Sequence, residues 1–333
     1  MMISVASQVS GRLLIPTTTK FNLNMKSFHP PSARDFTLPQ PPFPTALTTC
    51  LGLLIASEAS AFYAGSAGFK VLASLCFLIA GVSTASARLD LLSWTALTDP
   101  ENRFTVGIVL GLVFSVVGDV LLIPSRANYI QLPQSSDSES KKGKGKKKKG
   151  SRPQNQTHST PDSESPSFKA GMLAFALAHI SYTLAFLSTT TLFPTTASPS
   201  PPTEIRWGDF GMTLTFGALL TDWLGLLKPE LVYGAWFDVP KKMKPLVAVY
   251  VAVIVVMVAT ATATDTGYQR IAGAWLFMIS DLFVAANAFG VKEDEESQDK
   301  ATERRGRGRP EWKSASIGWV AYYAAQMLLA GCI

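Results

Sequence analysis

The sequence is poor in the side chains that most often build disulfide frameworks and metal sites. It contains three cysteines and three histidines in 333 residues. Cys50, Cys76 and Cys332 lie in apolar stretches at unrelated spacing, so they predict neither a disulfide framework nor a zinc site. We interpret them as small apolar core residues and expect no metal and no cofactor.

Charged side chains are also scarce, because they make up 16% of the chain against 47% hydrophobic residues. Most charges fall in connections, which leaves eight long apolar stretches. A helix needs about 20 mostly apolar residues to cross a hydrocarbon core of about 30 Å. The eight predicted spans are Pro44–Ala64, Phe69–Ala87, Phe104–Ile123, Lys169–Phe193, Asp209–Leu227, Lys244–Thr264, Gln269–Phe289 and Ser314–Ile333.

These stretches lack the two-residue alternation of barrel strands, which excludes a transmembrane β-barrel. The sixth stretch is rich in β-branched residues, but it is too long for a buried strand. Backbone groups in the bilayer core must be satisfied within each segment, which favours helices throughout. The sequence therefore predicts an all-α, multi-pass transmembrane helical bundle of about eight spans.

The basic residues are concentrated in the connections after the third, fifth and seventh spans. Short loops rich in Lys and Arg stay in the cytoplasm. We therefore expect these connections to be cytoplasmic and both termini to lie on the opposite side.

The sequence predicts one transmembrane domain and several disordered segments. Residues 44–333 form the transmembrane domain, and residues 1–43 form a disordered tail rich in Ser, Thr and Pro. A mitochondrial transit peptide is the alternative reading of that tail, since it is poor in acidic residues. Within the domain, the lysine-rich loop 124–168 and the charged loop 291–313 have little to bury and are predicted to be disordered.

The loops also suggest partners. Lys141–Lys149 carries lysines interrupted only by glycines, and each basic residue near a membrane contributes about 1 kcal/mol of attraction to anionic lipids. We expect contact with such lipids, or a solvated insert that only sets topology. Arg304–Arg309 is too short an Arg-Gly stretch to predict RNA binding, so we expect no nucleic acid partner.

Three ionisable residues lie deep within predicted spans. They are Asp119, His179 and Asp281. A charge near the bilayer centre costs roughly 2.5 to 3.5 kcal/mol on insertion scales, so such a group faces a partner, a cavity or a substrate. Several further polar residues are predicted to lie in the middle or the cytoplasmic half of the spans, and one polar cavity on that side would accommodate them all: Glu58, Lys70, Tyr182, Asp222, Ser280, Tyr322, Tyr323 and Gln326.

Four strings of the spans carry a resemblance to a known family. They read FSVVGDVLL from Phe114, GxxAFxxAHxxY from Gly171, GAxxFxxSD from Gly273 and YYAAQxL from Tyr322. Weaker agreement comes from Phe69-Lys70-Val-Leu and from Lys244-Pro245 with Tyr250 and Met257 after it. In this order they resemble the YhhN-like lysoplasmalogenase family, over about residues 44 to 333.

The resemblance implies an integral membrane hydrolase that cleaves the vinyl ether bond of lysoplasmalogens, with a lysophospholipid as its partner. Hydrolysis of a vinyl ether needs a proton donor and an anion, and two carboxylates in unlike environments divide those roles. We hypothesise that Asp281 is the general acid, that Asp119 stabilises the cation or activates water, and that His179 orients or relays protons. The reverse assignment of the two aspartates stays open.

The remaining polar residues are expected to support this site. Tyr182 and Gln326 are predicted to hydrogen-bond around it, and Ser280 and Glu58 to lie near it. Lys70 is predicted to hold the substrate phosphate.

Other readings use the same residues. A proton- or ion-coupled transporter would relay protons through the Asp and His residues, although we find no repeated halves typical of transporters. A divalent ion held by Asp119, His179 and Asp281, or mere pairing between helices, is a further alternative. For location we expect the endoplasmic reticulum or another endomembrane.

Overall fold

The computed structural model describes residues 36–91, 93–124, 165–193, 202–226, 236–237, 239–264, 267–290 and 312–333. The described chain is helical, with no strand beyond two isolated bridges. Its α-helices, in chain order, are α1 (Phe43–Ala59), α2 (Tyr63–Ser86), α3 (Trp94–Thr98), α4 (Arg103–Leu121), α5 (Pro166–Ser188), α6 (Trp207–Trp223), α7 (Lys244–Thr264), α8 (Gln269–Phe289) and α9 (Trp312–Ala330). The prediction of an all-helical membrane protein is confirmed.

Every predicted span corresponds to a helix, and two have identical bounds, α7 and α8. In the described part of the chain, five helical segments are long and apolar enough to cross a membrane: Tyr63–Ser86, Pro100–Leu121, Pro166–Ser188, Lys244–Thr264 and Gln269–Phe289. The second of these includes a 3-10 turn, Pro100–Asn102, before α4. The helices of the other three predicted spans, α1, α6 and α9, are shorter or less apolar, so the count of eight spans stays a prediction.

The outer surface agrees with a membrane environment. Large apolar side chains point outward along the helices, among them Leu173, Leu184, Leu219 and Val249. Exposed tryptophans lie at both ends of α6, as Trp207 and Trp223. Because this helix has 17 residues from one tryptophan to the other, the two positions are about 24 Å apart along its axis. Tryptophan is enriched at both membrane interfaces, which favours a spanning α6.

The first turn of the bundle differs from the prediction. We expected the first span to continue to Ala64, but α1 ends at Ala59 and α2 begins at Tyr63. The chain reverses at Ala61, whose φ of 54° lies in the left-handed region. Gly65 thereby falls inside α2, against the side chains of Ser57 and Phe62, so its small size serves helix packing.

Local signals explain where other helices begin. The Ser165 side chain accepts a hydrogen bond from the Phe168 amide at 3.1 Å, and Pro166 occupies the first turn of α5. Both residues are typical of helix N-termini. The same arrangement precedes α4, where Asp99 caps the Glu101 amide at 3.0 Å ahead of Pro100–Asn102.

The closest helix pairs are α4 with α5, α8 with α9, and α1 with α2. Small residues allow the approach of α4 to α5: Gly107 faces Ala185, Gly111 faces Tyr182 and Gly118 faces Phe175. Small residues at helix interfaces are the common device for packing in membranes. α6 lies at the edge and packs mainly on α7.

Two buried apolar clusters form the core. The larger involves α1, α2, α4, α5, α7, α8 and α9. The smaller one closes one end of the bundle and includes Leu226, Phe237, Val239 and Met243 from the connection between α6 and α7. This arrangement leaves space between the two clusters, where the cavity described below lies.

The predicted disordered segments lie mostly outside the described residues. This holds for residues 1–35 of the tail, for 125–164 of the lysine-rich loop and for 291–311 of the charged loop. Thr37, from the part of the tail that is described, donates a hydrogen bond from its hydroxyl to the Gly331 carbonyl oxygen at 2.9 Å and receives one from Gln269 at its own carbonyl oxygen at 2.7 Å.

Candidate functional site

A cavity of about 140 Å³ lies at one end of the bundle. It is bordered mainly by the first halves of α2, α5, α7 and α9 and by the last halves of α4, α6 and α8. Because these helices alternate in direction, all these halves lie at the end where the lysine-rich connection leaves α4. The cavity is therefore at the end predicted to face the cytoplasm.

The cavity wall is mostly apolar, which differs from the polar cavity that we expected. Polar residues that border it include Lys70, Asp119, Tyr250, Ser280, Asp281 and Tyr322. The apolar part includes Phe175, Leu220, Val251 and Met278.

Asp119 forms the first polar cluster on this wall. It lies near the end of α4 and is 3% exposed. Its Oδ2 accepts hydrogen bonds from the Tyr322 hydroxyl and the Ser74 hydroxyl, each at 2.7 Å. The Lys70 Nζ lies 3.6 Å from Oδ1. Donors and a cation around one carboxylate offset part of the cost of burying its ionised form.

Asp281 of α8 is the centre of the second polar cluster. Its Oδ2 accepts a hydrogen bond from the Tyr250 hydroxyl at 2.6 Å and lies 3.2 Å from His179 Nε2. Within the described chain, no hydrogen-bond partner meets the other carboxyl oxygen, Oδ1. The Asp281 side chain is 16% exposed while His179 is completely buried, so the carboxyl group borders the cavity and the imidazole lies behind it.

A third network links α4, α5 and α9 behind the cavity. The Tyr182 hydroxyl donates to Gln326 Oε1 at 2.7 Å, and Gln326 Nε2 donates to the Ser115 hydroxyl at 3.0 Å. Tyr182 and Gln326 are fully buried and do not border the cavity. Ser115 is one turn before Asp119, so this network positions the helix that carries the first carboxylate.

The structure brings most of the predicted site residues together. Lys70, Asp119, Ser280 and Asp281 border the cavity, and His179 contacts Asp281. Ser280 donates its hydroxyl to the Phe277 carbonyl oxygen at 2.6 Å. Its side chain therefore satisfies the helix backbone.

Glu58 is placed elsewhere. It is buried where α1 meets α2, and it accepts a hydrogen bond from the Ser66 hydroxyl. It does not border the cavity, which argues against a direct role in binding substrate.

Sequence reasoning gave no role to three of the polar groups at the carboxylates: Tyr250, Ser74 and Tyr322. Tyr250 is a phenol within an otherwise apolar span, and that isolated hydroxyl is the signal that points to a partner. Ser74 carries no such signal, because serine is common within membrane helices and bonds its own backbone. Tyr322 belongs to the last motif of the resemblance and was expected among the polar groups of the cavity, but without a chemical role.

The described ranges do not support the alternative of a divalent ion held by Asp119, His179 and Asp281. No three His, Cys, Asp or Glu side chains there lie close enough to hold a metal ion. Asp119 and His179 belong to different clusters, with Lys70 beside Asp119.

Comparison with known proteins adds one match. The model of the YhhN family matches residues 160–333, just over half of the chain. This range contains α5 to α9, with His179, Tyr250, Asp281 and Tyr322. No curated protein and no solved structure matches the chain. The chain belongs to the YhhN family.

Proposed function

We propose that this protein is an integral membrane hydrolase that cleaves the vinyl ether bond of lysoplasmalogens, or of a related lysolipid. Membership of the YhhN family supports a hydrolase of this kind. The observation that carries the proposal is that two carboxyl groups from different helices, the buried Asp119 and the partly exposed Asp281, border one apolar cavity. An apolar wall suits an alkenyl chain, and paired carboxylates suit acid-base chemistry.

The reaction begins with proton transfer to a carbon atom. Protonation of the outer vinyl carbon gives an oxocarbenium ion on the carbon bonded to the ether oxygen. Water adds to that carbon and loses a proton, which forms a hemiacetal. The hemiacetal then collapses into a fatty aldehyde and the glycerophospho-headgroup, so the sum is one substrate and one water giving two products.

Asp281 is suited to donate the proton. Its Oδ2 is held by Tyr250 and His179, and Oδ1 has no partner among the residues described. Because Oδ2 is fixed by these contacts, Oδ1 is the carboxyl oxygen available to the substrate. A positioned proton donor of this type contributes about 10²- to 10⁴-fold to a rate.

Asp119 is suited to the second role. Hydrogen bonds from Tyr322 and Ser74, with Lys70 at 3.6 Å, offset part of the cost of burying a carboxylate at this position. An anion on the cavity wall stabilises a developing cation and accepts a proton from the attacking water. Lys70, which also borders the cavity, is placed to attract the substrate phosphate.

The test is aldehyde release from a lysoplasmalogen by the purified protein. We expect turnover by the wild type, and we expect Asp281→Asn and Asp119→Asn each to lower kcat by about 10²-fold or more because each removes a proton-transfer group. Asp222→Asn is the matched control, since Asp222 is an exposed carboxylate near the end of α6 that does not border the cavity.

Two outcomes would contradict the proposal. One is full turnover by both folded cavity variants. The other is no aldehyde from folded wild type with either an ethanolamine or a choline headgroup. Proton-driven uptake by the protein in liposomes, without hydrolysis, would instead support the transporter.

A further inference from the structure

The second nitrogen of the buried histidine contacts a thioether. His179 Nδ1 lies 3.4 Å from the Met257 sulfur, and both side chains are completely inaccessible to solvent. Met257 does not border the cavity. The acid-base steps of the proposed hydrolysis do not involve this contact.

A thioether accepts hydrogen bonds weakly and donates none. The contact is therefore favourable only when Nδ1 carries a hydrogen. With the hydrogen on Nε2 instead, a lone pair of the ring would face the lone pairs of sulfur. The packing of Met257 thus selects ring states that are protonated on Nδ1.

The other nitrogen meets the carboxyl group. Nε2 lies 3.2 Å from Asp281 Oδ2 and 3.2 Å from the Tyr250 hydroxyl. That hydroxyl already donates its hydrogen to Asp281 at 2.6 Å. A favourable contact between Nε2 and Oδ2 then requires a further proton, either on the ring or on the carboxyl group.

Both arrangements hold the same number of protons. An imidazolium beside a carboxylate and a neutral ring beside a carboxylic acid each give the pair a net charge of zero. A carboxylate beside a neutral ring would carry one proton fewer and a net negative charge. The contacts at Nδ1 and at Nε2 are therefore both favourable when the pair holds this proton.

We propose that Met257 is a positioning residue that holds the hydrogen of His179 on Nδ1, so that the Asp281–His179 pair stores one proton beside the cavity. In the proposed reaction Asp281 transfers one proton to the vinyl carbon and Asp119 accepts the proton that the attacking water loses. The return of that proton to the Asp281–His179 pair completes the cycle. This delivery step rests on the proposed function, whereas the state of the ring does not.

The surrounding titratable groups have other partners. On α4, Asp119 is paired with Lys70 of α2, and on α9 Tyr322 donates to Asp119. On α5 itself, Tyr182 donates to Gln326. Among the described residues, Tyr250 of α7 and Asp281 of α8 are the titratable groups within hydrogen-bond distance of the ring.

The state of the ring is measured directly by nitrogen NMR. The chain has three histidines, so His29→Gln with His158→Gln leaves His179 as the single one. This full-length protein, labelled with ¹⁵N-histidine in detergent micelles, is expected to show a protonated Nδ1 at neutral pH. A ring protonated on Nε2 alone would overturn the proposal, whether or not the protein hydrolyses a lysoplasmalogen.

A second variant tests the role of the sulfur. Met257→Leu keeps similar volume but removes the acceptor. We expect the Nδ1 proton signal to decrease and kcat to fall by roughly ten-fold, part of what a positioned acid contributes, while KM stays unchanged. Met327→Leu is the control, because Met327 is buried on α9 away from the cavity. An unchanged ring state in folded Met257→Leu would show that the sulfur does not select the tautomer.

Discussion

At the scale of single residues, the most informative group is the hydroxyl of Tyr250. It meets both members of the second cluster, donating to Asp281 Oδ2 at 2.6 Å and lying 3.2 Å from His179 Nε2. The residue also borders the cavity. One hydroxyl therefore holds the orientation of the carboxyl group that we propose as the proton donor.

Tyr250→Phe removes that hydroxyl and keeps the ring. A hydrogen bond to a charged group contributes about 1.5–3 kcal/mol, so we expect kcat for aldehyde release to fall by roughly 10- to 100-fold. Tyr63→Phe is the matched control, since the Tyr63 hydroxyl donates to the Pro124 carbonyl oxygen away from the cavity. Equal turnover by the two variants would contradict the role of Tyr250.

At the scale of helices, the α4–α5 pair determines where the polar groups lie. α4 carries Asp119 and α5 carries His179. The two helices approach closely at Gly107, where an added Cβ would lie 2.8 Å from the Ala185 Cβ and 3.2 Å from the Ser181 carbonyl oxygen. Backbone atoms cannot move aside alone, so any side chain here separates the helices.

Gly107→Ala is therefore expected to lower stability by about 1–3 kcal/mol, the usual cost of overpacking. The measurement is the midpoint of thermal unfolding in detergent. Gly52→Ala is the control, because no atom lies within 4 Å of a Cβ added there, and its midpoint should not fall. A midpoint for Gly107→Ala equal to that of the wild type would show that the interface tolerates a methyl group.

At the scale of the whole molecule, the cavity lies at one end of the bundle, on the side where the basic connections leave. Exposed tryptophans are found at both ends, with Trp94 and Trp207 at one and Trp223 and Trp236 at the other. This distribution fits two membrane interfaces. The positive-inside rule then predicts a site that receives substrate from the cytoplasmic leaflet.

Sidedness is measured with single cysteines in a variant whose three native cysteines are replaced by alanine. We expect Ser138→Cys, in the lysine-rich connection, to be protected from a membrane-impermeant maleimide in sealed intact cells and labelled after permeabilisation. Glu101→Cys, in the connection before α4, should stay protected when only the plasma membrane is permeabilised and be labelled once the internal membranes are opened as well, because one span separates the two positions. Labelling of both from the same side would contradict the predicted topology.

The resemblance and the apolar runs predicted much of this molecule. The bounds of α7 and α8 match the predicted spans because run length and helix period are local properties of the chain. Asp119, His179 and Asp281 were identified as the deep polar groups for the same reason, since a charge within an apolar run is visible without a fold.

Only the tertiary structure decided which groups meet. It pairs His179 with Asp281, 102 residues away, and Asp119 with Tyr322, 203 residues away. It also adds Tyr250 and Ser74, and it places Glu58 outside the cavity. The physical reason is that the chain determines which face of a helix is polar, whereas close packing at residues such as Gly107 and Gly118 determines which faces come together.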